Sequence, residues 1–291
     1  MATFAKIEHV ADLPKKKGLL GDTAERDYAA KLRRFNAFAE AELRSAIDAL
    51  NLRPGTRVLD AGCGSGESLR YFHEAVGASG AVVGFDLAAA HAMSARTVAP
   101  PRALVLQADL LRAPLRAASF DLVWCVNTIN HFAAPLAAVE RLASLLRTQG
   151  RLVLCQSSLL PDMYFAWNSQ LERRATAAVH QYYRDRYGVS EEGLTAIRAL
   201  VGLLRRSKFR NVWSKTFTIE RISPLTPADE DYLYEIILRD LSSERLRPYL
   251  SDEDYEELIK TCDPHRREFA LKRPDFHFLQ TFTMVGGEVY T

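Results

Sequence analysis

Cysteine is scarce in this 291-residue chain, and the four present, at positions 63, 125, 155 and 262, share no C-x-x-C spacing. That arrangement offers neither a disulfide framework nor a zinc ribbon, so the thiols read as reduced and buried. No uninterrupted run of eighteen apolar residues occurs, which leaves no candidate membrane-spanning helix. The N-terminus has no apolar signal core, so the expected compartment is the cytoplasm. An excess of positive charge is missing too: 38 Lys and Arg against 36 Asp and Glu leave +2. A dedicated nucleic-acid binder would show a basic stripe, so neither nucleic acid nor membrane is an expected partner. The Lys15-Lys16-Lys17 run is short enough to be a solvated turn, and neither repeats nor low-complexity tracts are visible. What is there is ordinary for a globular protein: 48% hydrophobic and 25% charged residues, in a length that can bury a substantial core.

Residues 1–23 show no periodicity and read as a mobile arm. From Glu25 to Leu50, apolar residues recur at helical spacing, predicting one amphipathic helix or a pair, stopped by Leu52-Arg53-Pro54-Gly55. Strands then alternate with helices: strands at 57–61, 81–85, 103–107, 120–125 and 151–156, helices at 66–76, 89–97 and 135–147. Strands apolar on both faces and separated by helices predict an α/β fold with a parallel sheet covered on both sides. Any ligand belongs at the carboxyl ends of those strands. After Gln156 an aromatic-rich stretch, 157–192, reads as a helical cap, followed by another amphipathic helix over Leu194 to Leu204. Residues 211–221 and 276–289 read as strands, with Gly286-Gly287 placed to bend the second. Between them, 222–275 is a helical insertion whose helix starts carry capping signatures at Thr226-Pro227-Ala228-Asp229 and Ser251-Asp252-Glu253-Asp254.

Within this frame Val58-Leu59-Asp60-Ala61-Gly62-Cys63-Gly64-Ser65-Gly66-Glu67 reads as a buried strand, a tight glycine turn and a helix start. Glycines without Cβ let backbone approach a ligand closely, and the helix behind them presents unpaired N–H groups. Asp86, ending a second apolar run, is placed to accept both hydroxyls of a ribose, with a helix N-cap as its structural alternative. A glycine turn alone is weak; Asp60, the G-x-G-x-G spacing and Asp86 together are specific.

These residues resemble motif I and the ribose-binding acid of class I S-adenosylmethionine-dependent methyltransferases, in their small-molecule (type 11/25-like) branch. The resemblance continues through Gln107-Ala108-Asp109-Leu110, through Ser119 to Trp124 with Asn127 and His131-Phe132, and through Leu145 to Leu154. Gln149 departs from the pattern, standing where the family usually carries a second turn-former beside the glycine. The resemblance implies a Rossmann-like, seven-stranded, mostly parallel sheet whose last strand is antiparallel. Residues 24–156 would form the N-terminal helix and cofactor core, with 193–221 and 276–291 completing the sheet. It also implies S-adenosyl-L-methionine as cofactor, held by Asp60, Gly62, Gly64, Gly66, Asp86, Leu87, Asp109, Leu110 and Asn127. Asp60 would orient the loop and the cofactor amino group, while Asp109 would accept from the adenine amino group or simply turn the chain.

Transfer to a small-molecule oxygen or nitrogen acceptor follows, by in-line displacement in which alignment is the protein's main task. A hydroxyl acceptor needs a base, for which His131 and His180 are the candidates; each also has a structural reading. Tyr164, Trp167 and Tyr183 from the aromatic stretch are candidate substrate residues, or core filling. The remaining histidines, at 9, 73, 91, 265 and 277, have no motif support. Asp121 reads as a turn residue. Arg205, Arg206, Lys208 and Arg210 read as a solvated helix end or as a contact with the acidic run from Asp229 to Glu257. The competing readings are an RNA methyltransferase of the same fold, a non-catalytic scaffold that keeps the fold, and a nicotinamide dehydrogenase.

Overall fold

The computed structural model describes residues 28–157, 168–189 and 196–290. The expected arm at 1–23 and the substrate candidates Tyr164 and Trp167 lie outside these residues. A seven-stranded sheet organises the chain, in the order β3-β2-β1-β4-β5-β7-β6. Its strands are β1 (Arg57–Ala61), β2 (Ala81–Asp86), β3 (Leu104–Gln107), β4 (Phe120–Val126), β5 (Leu146–Ser157), β6 (Phe209–Ile222) and β7 (His277–Val289). The first five are parallel to one another, and β7 runs antiparallel to both β5 and β6. The seven-stranded, mostly parallel architecture is therefore as the sequence predicts.

Successive side chains of a strand point to opposite faces, and this divides the core in two. Val58, Leu122, Trp124 and Val153 pack into one apolar cluster, Leu59, Val123, Leu152 and Leu154 into the other. Helices α3 (Glu67–Val76), α4 (Ala89–Val98) and α5 (Pro135–Leu145) join the parallel strands. The N-terminal segment forms a pair, α1 (Ala29–Phe38) and α2 (Glu40–Asp48), broken at Ala39. Beyond β5 come α6 (Ser169–Tyr187) and α7 (Leu200–Arg206), and the 222–275 excursion contains α8 (Pro227–Tyr232) and α9 (Asp252–Cys262). Both capping signatures are made: Thr226 and Asp229 form a reciprocal capping box, and Ser251 accepts from the Asp254 amide.

Three expectations need correction. Helix α5 ends at Leu145, not 147, because Leu146 already pairs with Phe120 and a bulge follows before Leu122 meets Arg151. Gln149 absorbs that bulge at φ +62, while a Cβ on Gly150 would sit 2.8 Å from the Arg147 carbonyl. The family's two turn-formers are thus replaced by one left-handed glutamine and one glycine. Second, Gly286-Gly287 does not bend β7, which runs unbroken to Val289. The pair instead makes room for the Trp213 ring and Phe209, and the irregularity lies opposite, in β6 between Arg210 and Trp213. Third, the acidic run does not meet the basic run. Asp229, Asp231, Asp240 and Asp254 pair with Arg221, Arg34, Arg245 and Arg174, whereas Arg205, Arg206, Lys208 and Arg210 are exposed. The solvated-helix-end reading describes them.

All four cysteines are free and buried. Burial pushes each thiol up, which fits a packing role. Asp121 accepts from the Arg57 amide at 2.8 Å and pairs with Arg147, as a structural residue would.

Candidate active site

At the carboxyl ends of β1, β2, β3 and β4, under the α1–α2 pair, lies a cavity of about 460 Å³, within the range of small-molecule sites. Its floor is the glycine turn. The amides of Gly62 and Cys63 both donate to the Phe85 carbonyl at 2.9 Å, fastening the turn to the end of β2. Gly62, at φ +80, lies so close to Thr128 that any Cβ there would collide with the threonine side chain. Gly66, at φ +92, closes the turn and opens α3, packed against Ala95. Gly62 and Gly64 line the cavity, but Gly66 is buried beneath it and shapes the turn rather than its surface.

Three carboxylates reach this cavity. Asp60, 1% exposed, accepts from the Ser68 hydroxyl. Burial, reinforced by the nearby Asp86 and Glu67 carboxylates, pushes it up to about 7, against a hydrogen bond from Ser68 that lowers it. Its contribution to folding is therefore complete below pH 3.8 and is lost as pH rises through about 7. Asp86 accepts from the Gly64 amide at 2.9 Å through Oδ2 and from the Ala88 amide at 3.0 Å through Oδ1. Asp109 accepts from the Leu111 amide at 2.9 Å, so it does turn the chain, and its carboxylate also lines the cavity. Leu87, Leu110, Asn127 and His131 are in the wall as well. The Asn127 amide, however, is committed to Ser157: its Nδ2 donates to Ser157 Oγ at 2.9 Å, and its Oδ1 accepts from the Ser157 amide at 2.8 Å. The Asn127 backbone N–H also donates, to the Cys155 carbonyl at 2.9 Å, so of the two contacts the sequence allowed there the backbone one narrows to the carbonyl oxygen.

His180 and Tyr183 stand apart from this cavity. Both belong to α6, which packs on residues 244–249 and on α9. Tyr183 stacks on Tyr187 with ring centroids 5.5 Å apart, while Arg245 lies over the neighbouring Tyr182 ring at 4.7 Å. Aromatic periodicity marked a helix that packs on another helix, not one that faces the glycine turn.

Sequence reasoning missed two sets of wall residues. Leu32 and Phe35 of α1 and Leu43 and Ile47 of α2 form an apolar roof. Their helical spacing was visible, but not what their apolar face covers. Asn36 pins this roof to the floor, donating to Ser65 Oγ at 3.2 Å and Glu67 Oε2 at 2.6 Å. The second omission is His91, which lines the cavity with its ring nitrogen 3.2 Å from Asp86.

A methyltransferase-domain family model matches residues 59–154, the segment from β1 through most of β5. The chain is 31% identical over 207 residues to the malonyl-[acyl-carrier protein] O-methyltransferase of Enterobacter lignolyticus, covering 64% of this chain and 80% of that one. It belongs to the S-adenosylmethionine-dependent methyltransferases. That membership sets aside the dehydrogenase and scaffold readings: the protein is an enzyme, and S-adenosylmethionine is its cofactor. The nocamycin O-methyltransferase of Saccharothrix syringae is 36% identical over 115 residues, 38% of this methyltransferase and 41% of the relative. The chain thus spans about two fifths of that relative, and 32% of an uncharacterised 37.1 kDa protein in transposon TN4556 of Streptomyces fradiae. A Bacillus halodurans protein assigned as a methyltransferase superposes with a TM-score of 0.52 over 86% of this chain and all of its own. At 17% identity this likeness shows the fold alone.

The residues present suit the cofactor. Its sulfonium and ammonium are cations, and the described lining carries Asp60, Asp86 and Asp109 but neither lysine nor arginine. No helix among the described residues is long and apolar enough to cross a membrane.

Proposed function

We propose that this methyltransferase methylates an oxygen of an uncharged, largely apolar small molecule, with His131 as the base that takes the hydroxyl proton. One observation carries the reading: a single cavity joins the glycine turn, three carboxylates and His131 to an apolar roof, with no cation in its described lining. A phosphorylated amine or a free acid would enter without a countercharge, at a high desolvation cost. For the same reason the malonyl group named for the Enterobacter relative is a poorer fit than the free 27-oxygen that 27-O-demethylrifamycin SV implies in the name of another relative.

In this reading Gly62 and Gly64 let the methionine part of the cofactor lie against backbone, with Asp60 toward its ammonium. Asp86 takes the ribose, and Asp109, flanked by the apolar Leu87 and Leu110, takes the adenine amino group. The Asn127 backbone completes the wall. When bound, S-adenosylmethionine supplies a methyl group on a positively charged sulfur, an activated leaving group. The chain's own work is then to align the acceptor, keep water out beneath Leu32 and Phe35, and remove a proton at His131.

Incubation with methyl-labelled cofactor and a panel of neutral phenols or alcohols, carboxylic acids, amines and phosphate esters tests this. Label on the neutral hydroxyl compounds is expected, with His131→Ala losing about a hundredfold in rate and the acid limb of the pH profile. Label confined to acids or amines, or a His131→Ala profile identical to wild type at every pH, would overturn it.

Asp60 gives a second expectation. Bound cations favour its carboxylate, so binding the cofactor should release a proton near and just below pH 7, and affinity should rise with pH up to about 7 and then level. Titration calorimetry in buffers of different ionisation enthalpy reads this proton directly. Asp60→Asn should abolish it; a proton release that survives the substitution would clear Asp60 of the role.

A further inference from the structure

His91 connects two parts of the site. It lies in the first turn of α4, five residues after Asp86, and is 6% exposed. Its Nδ1 is 3.2 Å from Asp86 Oδ1, and its Nε2 is 3.3 Å from the backbone nitrogen of Tyr28. The two partners fix its tautomer. An ionised carboxylate only accepts and a backbone N–H only donates, so Nδ1 carries the proton and Nε2 offers its lone pair. One neutral imidazole satisfies both. Tyr28 is the residue that precedes α1, and its ring lies 5.1 Å from the imidazole. A few residues further along, Arg33 donates to Ser94 Oγ at 2.7 Å, a second tie between α1 and α4.

We propose that His91 is a positioning residue for cofactor binding: it fixes the Asp86 carboxylate for the ribose and anchors the start of the roof helix α1 to that same carboxylate. The proposal rests on the reading of Asp86 as the ribose acceptor. With Oδ1 held by the Ala88 amide and the imidazole, and Oδ2 by the Gly64 amide, rotation of the carboxylate is arrested. Three of its roughly four acceptor sites are then spoken for, so the one left accepts from a single ribose hydroxyl, not from both as the sequence suggested, and points in one direction. Because the start of α1 is tied to the other imidazole nitrogen, one side chain links the orientation of Asp86 to the helix that carries Leu32 and Phe35 over the cavity.

The test is a double-mutant cycle on the dissociation constant for S-adenosylmethionine, measured by calorimetry on wild type, Asp86→Ala, His91→Leu and the double variant, with His91→Asn as the conservative case. His91→Leu, which loses a hydrogen bond to a charged group, should weaken binding about tenfold. His91→Asn, whose amide can still donate to Asp86, should recover most of that loss. In the Asp86→Ala background His91→Leu should cost nothing more, because the carboxylate through which it acts is gone. Hydrogen exchange at the Tyr28 amide should speed up in both His91 variants, since neither keeps the ring acceptor. Wild-type affinity in His91→Leu, an unchanged penalty in the Asp86→Ala background, or a His91→Asn no better than leucine would overturn the proposal. Wild-type affinity in Asp86→Ala would instead remove the ribose reading itself, so the two failures are told apart.

Discussion

Gly66→Ala is expected to destabilise the protein by roughly 2–5 kcal/mol, a left-handed backbone cost of about 1–2 kcal/mol plus an overpacking cost of about 1–3 kcal/mol. Gly66 sits at φ +92, ψ 5, where an L side chain is strained. A Cβ there would lie 2.7 Å from both the Cα and the Cβ of Ala95 and 3.1 Å from its carbonyl oxygen. Backbone cannot swing aside as a long side chain can, so α3 and α4 must part. Ala95 is fully buried, and the movement would reach His91 on the same helix. Gly55→Ala is the control: φ is also positive, at +87, but the nearest atom, Ser79 Oγ, is at an ordinary 3.6 Å. It should lose only the backbone part. Urea unfolding, read as a shift in midpoint at constant slope, separates the two. Equal losses would show that the contact with Ala95 is relieved at no cost.

Arg221→Met should cost about 3 kcal/mol and weaken cofactor binding, although Arg221 touches no part of the cavity wall. Its guanidinium donates to Asp229 at 2.7 Å, to both Glu42 oxygens at 2.8 and 3.1 Å, and to the Phe38 carbonyl, and lies over the Phe38 ring at 4.7 Å. All three charged side chains are largely buried, at 17, 16 and 9% exposed. Removing the cation leaves Glu42 and Asp229 facing each other's charge with little water to screen it. Lysine keeps the charge but not the fork that spans three partners, and should restore only part of the stability. Thermal denaturation of wild type and the two variants checks this order. Wild-type stability in the methionine variant would show that the two carboxylates tolerate the loss of their cation.

What the sequence made legible is what is local. Asp60 through Gly66 is contiguous, and strand, turn and helix start each leave their own residues, so floor and sheet could both be read. Asp109 could be placed but not resolved between turning the chain and facing a ligand, because the fold uses it for the first while leaving it in position for the second. His91 could not be read, since what distinguishes it from any helical histidine is Tyr28, sixty-three positions earlier. The aromatic stretch misled for a related reason. Tyr182, Tyr183 and Tyr187 follow helical spacing whether the helix faces a ligand or Tyr249 and Arg245, and only the position of α6 in space decides.

The roof over the cavity is built from the beginning of the chain and held by its last third. Phe38 stacks on Tyr232 at 4.3 Å, and Glu42 meets Arg221 across 179 positions. During synthesis, the glycine turn and the parallel strands leave the ribosome long before Arg221 and Tyr232 do. A nascent chain halted anywhere short of them would own every motif by which its family is recognised, yet hold its roof only by the ties of Tyr28, Arg33 and Asn36 to α4 and the floor. The full hold on the roof therefore comes from residues made late in synthesis, none of which belongs to the segment by which the family is recognised.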